Sequence, residues 1–390
     1  MITAIKNGKL ILNDKIEENL TLYIEDGKIL DVTDKILPFD KEINANGNYV
    51  SPGFIDIHIH GAAGFDFLDN TIDAFNAISL ECAKHGATTI VPTVTSSTYE
   101  NMKAAVKTFE KVKNISKGAN LAGLHFEGPY FALSQKGAQD EKYIKNFDKE
   151  EYESIINSTK SILRWTAAPE LNGSKEFGEF LKSKDILPCT GHSDADCNCA
   201  LEAFENGFTH VTHFYSCTSG VHRVNGYRYG GIIEAAYLND NMTVEIIADG
   251  IHLPPELLKL IYKIKGAKNI ALVTDSMRGA GMPDGPSILG GLNDGLHVIV
   301  EDGVAKLPDR SAFAGSVAFC DRLVRNMINM ASVSLIDAVT MASTTPARIM
   351  GFNAKGSLKK GYDADIVIFD DDINIIKTIV SGTTVYKRNK

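Results

Sequence analysis

Histidine and carboxylate side chains recur at one kind of position in this sequence, at the ends of short apolar runs. The run FIDIHIH carries two of the histidines, and the run NIALVTD ends in an aspartate. Imidazole nitrogens and carboxylate oxygens are ligands of divalent transition metals, and a carboxylate beside a reacting group can transfer protons. The pattern therefore predicts a metal site with an acid–base group next to it. Its members are His58, His60, Glu127, His192, His213 and Asp275.

Each of these residues, taken alone, has an ordinary structural explanation. His58 and His60 are two apart on a strand and point to the same side, which suits a chelating pair but also a strand with two polar residues. Glu127 is a ligand or a loop residue before Gly-Pro, and Asp275 is a proton carrier or a helix cap. Single histidines are often hydrogen-bonded core residues. Gathered at one place, however, so many buried polar groups would lack partners without a metal.

The cysteines offer a second candidate metal site. Cys197 and Cys199 lie near Cys189 and Cys217 in the sequence, and structural zinc prefers cysteine pairs separated by two to four residues. The first two fall in the helical stretch DADCNCALEAF, where they would point to different faces. We therefore do not predict a cysteine zinc site. Six cysteines in the chain are also too few for a disulfide scaffold, which favours a cytoplasmic protein with reduced thiols.

The candidate ligands depend on a regular alternation of strands and helices. Helical-period segments separate eight apolar runs, most of which are continuous enough for strands buried on both faces. Eight such units predict a (β/α)8 barrel, in which functional residues lie at the C-terminal ends of the strands. A doubly wound open sheet is the alternative, but no GxGxxG motif follows the first strand. The predicted strands are 54–60, 88–94, 120–126, 162–168, 186–192, 208–214, 243–249 and 269–275; the helices are 71–85, 99–113, 149–157, 195–205, 229–238 and 255–264.

The regions outside these units differ in character. Residues 276–315 form a long Gly/Pro-rich loop with a predicted hairpin at 296–307, and loops of this length are usually functional. Both chain ends are rich in β-formers, with turn signals at Asp26-Gly27 and Ser381-Gly382. We expect the two ends to build one small β-sandwich domain, although each end could also decorate the barrel separately. The expected domains are 1–52 with 354–390 for the sandwich and 53–353 for the barrel.

Composition excludes several classes of protein. Of the 390 residues, 44% are hydrophobic and 23% are charged, which excludes a disordered chain and a coiled coil. The net charge of −9 and the absence of a basic cluster argue against nucleic-acid binding. No apolar run reaches the length of a membrane span. The N-terminus has no apolar core of a secretory signal, so we expect neither a membrane nor a nucleic-acid partner.

The motifs also carry a resemblance to a known family. SPGFIDIHIHG, followed by a lone glutamate, two later histidines and the aspartate of VTD, resembles the amidohydrolase superfamily of metal-dependent hydrolases. HFEGPY, KGAQ, GHSDA, THFY, ADGIH, VTDSM and AFAGS, in this order, are similar to the family that deacetylates N-acetylglucosamine 6-phosphate. The resemblance covers nearly the whole chain. It implies hydrolysis of the N-acetyl group to give glucosamine 6-phosphate and acetate.

The resemblance also implies roles for individual residues. Glu127, His192 and His213 match the main metal ligands, and His58 and His60 match a pair that some members use for a second metal. It further implies Asp275 as the catalytic acid and base, and His252 as a catalytic residue near the scissile amide. The residues that match substrate-contacting positions are Ala138, Gln139, Ser216, Cys217, Arg223, Asp249, Gly250, His252, Ala314, Gly315 and Ser316.

Two departures from the family pattern affect substrate recognition. Ser216-Cys217 stands where an amide-bearing pair is common, and Gln139 stands where many members have histidine. The family arginine, which reaches the phosphate of a substrate bound in the partner subunit, is matched by Arg223, with Arg228 as its rival. The resemblance therefore implies a homodimer in which a loop of each subunit completes the site of the other.

Several alternatives stay open at this stage. One is a deacylase of another N-acyl amino sugar or of an N-acyl amino acid. Another is a cyclic-amide hydrolase or deaminase of the same superfamily, against which the EGP glutamate and the KGAQ segment argue. A third is a metal-binding protein without catalytic activity, which would not need Asp275. We expect one or two divalent metals per subunit, zinc or iron, with manganese or cobalt as further candidates, because His/Glu sites accept all four.

Overall fold

The fold is taken from a computed structural model that describes residues 1–389. The middle of the chain forms a parallel barrel whose strands follow one another in sequence order, which confirms the predicted (β/α)8 class. The third strand is split, because Asn120–Leu121 and Leu124–Glu127 pair separately with the second strand. The eight barrel strands are Phe54–Ile59, Ala87–Thr95, Leu124–Glu127, Ile162–Ala167, Leu187–Thr190, His210–Val211, Thr243–Ile246 and Ile270–Leu272.

The barrel closes at the positions of three candidate site residues. The first strand pairs with the second in parallel, with two shifts of register along the ladder. It meets the segment after the eighth strand through backbone bonds: Asp275 donates to the His58 carbonyl at 2.9 Å, and His60 donates to the Ser276 carbonyl at 2.9 Å. The closure therefore fixes the backbones of these residues against each other.

The six predicted helices are all present. Thr71 caps the first, with its hydroxyl accepting from the Ala74 backbone. The helix predicted at 229–238 begins only at Ile232, because residues 227–229 pair in a short hairpin that was not among the predicted elements. Four further helices were not anticipated: one between the fourth and fifth strands and three near the end of the barrel. The ten α-helices described are Ile72–Lys84, Tyr99–Val112, Lys149–Asn157, Ser174–Ser183, Cys197–Glu205, Ile232–Leu238, Pro255–Lys265, Cys320–Ala331, Leu335–Ala342 and Thr344–Ile349.

The long loop after the eighth strand folds into an antiparallel sheet of four strands. The predicted hairpin at 296–307 is confirmed and forms the middle of this sheet. Ser316 ends the fourth strand and donates its backbone N–H to the Asp275 carbonyl at 2.7 Å. The loop sheet is thus attached directly to the candidate site. Its strands are Gly285–Leu289, Leu296–Glu301, Val304–Lys306 and Phe313–Ser316.

Both chain ends contribute to a small sandwich of two sheets. Asp26-Gly27 and Ser381-Gly382 form the expected tight turns, with φ angles of +48°, +76°, +46° and +76°, as type I′ hairpins require. Apolar side chains from both sheets share one core. The first sheet is Lys28–Thr33, Thr21–Glu25, Thr3–Lys6 and Lys41–Asn44; the second is Thr383–Lys387, Ile375–Val380, Ile366–Phe369, Tyr49–Pro52, Lys9–Ile11 and Ile16–Glu17.

Strands from the two chain ends lie side by side in the second sheet, where Ile366–Phe369 pairs with Tyr49–Pro52. The domain boundaries at 52/53 and 353/354 stay a prediction. Of the helices within residues 1–389, none combines the length and the apolar character that a membrane crossing requires.

Candidate active site

A cavity of about 210 Å³ opens at the C-terminal ends of the barrel strands. Strand three and the segments that follow strands one, five, six, seven and eight each supply a side chain to it, because these strand ends meet at the same rim. The candidate ligands and proton carriers that line it are His60, Glu127, His192, His213, His252 and Asp275. His58 lies directly behind them and is fully buried.

Glu127, His192 and His213 form the first group of candidate ligands. Glu127 Oε1 lies 3.3 Å from His192 Nε2 and 3.0 Å from His213 Nε2, and the two Nε2 atoms are 3.0 Å apart. All three side chains are at least nine-tenths buried. Burial works to raise the pKa of Glu127, but His58, His192 and His213 hold that pKa well below its ordinary value. Glu127 is therefore a carboxylate in this site.

The second group shares Glu127 with the first. His58 Nε2 lies 3.4 Å from Glu127 Oε1, and His60 Nε2 lies 3.2 Å from Glu127 Oε2. The two histidine Nε2 atoms are 3.3 Å apart. Each group brings three potential ligand atoms together, and one carboxylate belongs to both. This donor set would suit divalent ions that share Glu127 as a ligand.

Hydrogen bonds to Nδ1 of His192 and of His213 show which ring nitrogen of each residue carries the proton and which has a free lone pair. His192 Nδ1 lies 2.8 Å from the Gln135 carbonyl, and His213 Nδ1 lies 3.1 Å from the Ser216 carbonyl. A carbonyl oxygen only accepts, so both Nδ1 atoms carry the proton. In the neutral rings the Nε2 lone pairs then converge on Glu127 Oε1. Converging lone pairs repel one another unless a cation lies between them, so this donor set fits a divalent metal.

The backbone is held in an unfavourable conformation at three of these residues. His192, His213 and Asp275 have φ angles of +49°, +29° and +46°, in the left-handed region that residues other than glycine seldom occupy. Such conformations persist when the surrounding structure fixes them, and they concentrate at functional sites. The fold therefore directs these three side chains into the cavity at some cost in backbone energy.

Asp275 lies beside the second ligand group. Its Oδ1 is 3.3 Å from His58 Nε2 and 3.1 Å from His60 Nε2. Burial works to raise the pKa of Asp275, but the two histidines outweigh it and lower the pKa below its ordinary value. Asp275 is thus ionised at neutral pH and faces the cavity, as a general base requires.

His252 also lines the cavity and is oriented by Asp249. The Asp249 carboxylate accepts from the His252 ring at Nδ1 over 2.8 Å and from the His252 backbone N–H over 2.8 Å. Phe313 packs against the ring of His252, with the ring centroids 4.8 Å apart. Asp249 itself lies behind His252 and does not line the cavity. It therefore supports a neighbouring side chain, and the substrate contact that the resemblance implies stays a prediction.

Gln139 lines the cavity and also contacts a candidate ligand. Its Oε1 accepts from Thr95 Oγ1 at 2.8 Å and from the Ser96 backbone at 3.1 Å. Its Nε2 consequently faces Glu127 and donates to Oε2 at 2.8 Å. Gln139, which stands where many family members have histidine, therefore helps to orient the candidate ligand Glu127.

The other expected substrate contacts divide into two groups. Ala138, Ser216, Cys217 and Gly315 line the cavity. The structure does not bring Gly250, Ala314, Ser316 or Arg223 to the cavity wall of the same chain. Ser316 instead donates through Oγ to the Thr274 carbonyl. Within the described residues, the groups of potential metal ligands consist of histidine and glutamate side chains.

Arg223 lies on the exposed hairpin of His222–Val224 and Tyr227–Tyr229, directly opposite Arg228. Directly opposed residues of an antiparallel pair point to the same face. The two candidate phosphate-binding arginines are therefore neighbours on one face of a solvent-exposed ribbon.

Sequence reasoning missed several residues at this site. Thr95, Ile247, Leu289 and Phe313 line the cavity, and their apolar or hydroxyl side chains give no signal that distinguishes them from core residues. Glu245, within the apolar run TVEIIAD, is completely buried and contacts His58. A charged residue inside a buried strand is the one signal that would have found it.

Comparison with known proteins agrees with the fold and the site. Residues 49–385 match the amidohydrolase family, and the chain belongs to this family of hydrolases. It is 32% identical to N-acetylglucosamine-6-phosphate deacetylase of Bacillus subtilis (strain 168), over 98% of this chain and 96% of that protein. It is 31% identical to N-acetylgalactosamine-6-phosphate deacetylase of Escherichia coli O157:H7, over 98% and 99% of the two chains.

The same similarity extends to solved structures. The crystal structure of N-acetylglucosamine-6-phosphate deacetylase from Pasteurella multocida superposes with a TM-score of 0.92 and is 26% identical, with complete coverage of both chains. The barrel, the sandwich of the chain ends and the order of the elements are therefore shared with an enzyme of this kind.

Proposed function

We propose that this protein hydrolyses the N-acetyl group of N-acetylglucosamine 6-phosphate to give glucosamine 6-phosphate and acetate. The observation that carries the proposal is the convergence of Glu127, His192 and His213 with an ionised Asp275 in one cavity. The names of the similar proteins support the substrate class. The class of reaction, hydrolysis of a carbon–nitrogen amide bond, follows from the family.

Glu127, His192 and His213 would hold the first divalent metal, and His58 and His60 with Glu127 would hold the second. When bound, such a metal acidifies water and polarises an acyl oxygen. We propose zinc or iron, with manganese and cobalt as ions that the same ligands accept. Gln139 keeps the Glu127 carboxylate turned toward the histidines of both groups.

Asp275 performs the proton transfers in the proposed reaction. As the hydroxyl of water bonds to the acetyl carbon, Asp275 accepts the proton that this water releases. It then delivers that proton to the amide nitrogen as the carbon–nitrogen bond breaks, so that the free amine and acetic acid form, and the acid loses its remaining proton to solvent as acetate. Asp249 holds the His252 ring at Nδ1, and His252 lines the cavity, so its proposed role is to orient the acyl group of the substrate.

The proposed function is tested by acetate release. We expect rapid release from N-acetylglucosamine 6-phosphate and much slower release from unphosphorylated N-acetylglucosamine. N-acetylgalactosamine 6-phosphate and an N-acyl amino acid complete the panel, because a relative of nearly equal identity is named for the galactosamine sugar. Preference for either of these would move the assignment to the corresponding deacylase, and no acetate from any metal-loaded sample would contradict the proposal.

The metal content of the purified protein tests the two-metal form. Because both ligand groups are intact and share Glu127, we expect more than one equivalent of divalent metal per chain after preparation without chelators. Elemental analysis of the same sample identifies the ion. A firm value of one equivalent or less, even after reconstitution with excess metal, would contradict a second site at His58 and His60.

We further propose a homodimer in which the hairpin of one subunit completes the site of the other. The hairpin strands are exposed along their whole length, and Val221 and Tyr227 on this segment are 64% and 73% exposed. Large exposed apolar side chains beside two arginines suit contact with another copy and with its anionic substrate. We also propose a cytoplasmic location, which is supported by cysteines that are all free in the described chain.

A further inference from the structure

A buried ion pair lies inside the barrel next to the candidate metal ligands. Arg164 and Glu245 have no exposed surface, and Arg164 Nη1 donates to Glu245 Oε2 at 2.5 Å. Barrel interiors of this class are filled mainly by branched apolar residues. Replacing a buried ion pair by apolar residues of similar volume is often neutral or stabilising. Stability alone therefore does not account for this pair.

Glu245 contacts both groups of candidate ligands through a single oxygen. Its Oε1 lies 2.6 Å from His58 Nδ1 and accepts from the His213 backbone N–H at 3.2 Å. Its Oε2 receives Arg164 and lies 3.0 Å from His210 Nε2. Four donors thus surround one carboxylate, and two of them belong to residues of the site.

We propose that Glu245 is a positioning residue that fixes the tautomer and orientation of His58. An ionised carboxylate only accepts, so the proton of neutral His58 is held on Nδ1. Nε2 is then left with its lone pair directed at the position shared with His60 and Glu127. A ligating histidine whose outer nitrogen donates to a carboxylate binds metal more strongly, and loss of this partner costs 10- to 100-fold in affinity. This inference rests on the two-metal form of the proposed function.

A simple amide substitution cannot preserve this network. Arg164 and the His213 backbone are obligatory donors, and they address different oxygens of Glu245. An amide has one oxygen and one NH2 group. In either orientation of the glutamine in Glu245→Gln, the NH2 group would therefore face one of these two donors. The buried guanidinium also loses its counter-charge, which is strongly destabilising. This single variant would confuse a loss of positioning with a loss of folding.

Two double variants separate these effects. Arg164→Met/Glu245→Gln and Arg164→Met/Glu245→Leu both remove the ion pair, so neither leaves an unpaired charge in the barrel. In the first, the amide oxygen accepts from His58 and His213, and its NH2 group faces His210 Nε2, which accepts in the other neutral tautomer. In the second, nothing accepts from His58. The two variants share the Arg164→Met substitution and differ in whether residue 245 can accept a hydrogen bond from His58.

The decisive measurement is a titration of metal-free protein with Co²⁺, in which calorimetry and visible absorption monitor binding. Thermal unfolding of each variant checks that it is folded. We expect the second equivalent to bind about 10- to 100-fold more weakly to the leucine double variant than to the glutamine one. The first equivalent should change less. Thr212→Val, which removes a hydrogen bond to Arg164 but does not touch Glu245, is the matched control and should bind like the wild type.

Equal affinity of both folded double variants for the second equivalent would overturn the proposal, and so would a single equivalent in the wild type. Acetate release by the wild type tests the proposed function separately, so the two failures are distinguishable. If neither double variant folds, the histidine ¹⁵N spectrum of the wild-type holoenzyme decides, with a His58→Asn variant for assignment. A protonated Nδ1 of His58 supports the proposal, and a protonated Nε2 overturns it.

Discussion

Asp275→Asn is expected to lower kcat for deacetylation by about 10²- to 10⁴-fold, the usual contribution of general acid–base catalysis. The reason is that Asp275 is the ionised carboxylate that faces the cavity next to His58 and His60, and an amide cannot carry the proton from water to the leaving nitrogen. The substitution keeps the size of the side chain. Folding and metal content should therefore stay close to those of the wild type.

Asp284→Asn is the matched control, because it changes an exposed aspartate on the same loop. We expect it to leave kcat, KM and metal content unchanged. Single-turnover acetate release with elemental analysis of each sample separates a chemical defect from loss of metal. Turnover of Asp275→Asn at the wild-type rate would remove the proton-transfer role from this residue.

The positions of the site residues were predictable because they follow buried strands. Apolar runs such as TTIVPTV and NIALVTD indicate strands by composition, and the barrel architecture then brings their C-terminal ends to one rim. His58 and His60 at the end of the first run and Asp275 at the end of the last are adjacent in the structure for this reason. No contact had to be known in advance to place them together.

The supporting residues were not predictable in the same way. Gln139 lies in a loop, and its link to Glu127 depends on the orientation that Thr95 and Ser96 impose. Glu245 is recognisable as unusual within its strand, but its partner Arg164 lies on another strand, 81 residues away. Hydrogen-bond networks of this kind depend on side-chain directions across the barrel, which a single sequence does not specify. The short exposed hairpin was also not predicted. Its turn, Asn225-Gly226, is a recognisable hairpin signal, but the residues on either side of the turn do not alternate regularly between apolar and polar.

The second large effect that we expect concerns the two arginines of that hairpin. Arg223 and Arg228 are opposite each other, and like charges in this position are destabilising. A pair of guanidinium groups on one exposed face is suited to an anion, and each offers two parallel hydrogen bonds to a phosphate. Neither arginine lines the cavity of its own chain. We therefore propose that the hairpin of the other subunit contacts the substrate phosphate.

Arg223→Ala is expected to raise KM for the phosphorylated sugar by about 10- to 150-fold, which corresponds to losing a hydrogen bond to a charged group worth about 1.5–3 kcal/mol. KM for the unphosphorylated sugar should change little. Arg228→Ala tests the neighbouring arginine, and Arg223→Lys should be intermediate because it keeps the charge but loses the paired hydrogen bonds. Equal effects of Arg223→Ala on both substrates, or none on either, would show that this arginine does not bind the phosphate.

A mixed dimer decides whether the arginine acts on the partner's site. When Arg223→Ala and Asp275→Asn chains are co-expressed with different tags, the mixed dimer contains one site that combines an intact Asp275 with an intact hairpin from its partner. Such a dimer should recover the wild-type KM and about half of the wild-type kcat, because one of its two sites is complete. If the hairpin served its own subunit instead, no site in the mixed dimer would be complete. Its kinetics would then resemble those of Arg223→Ala alone, and the cross-subunit arrangement would be wrong.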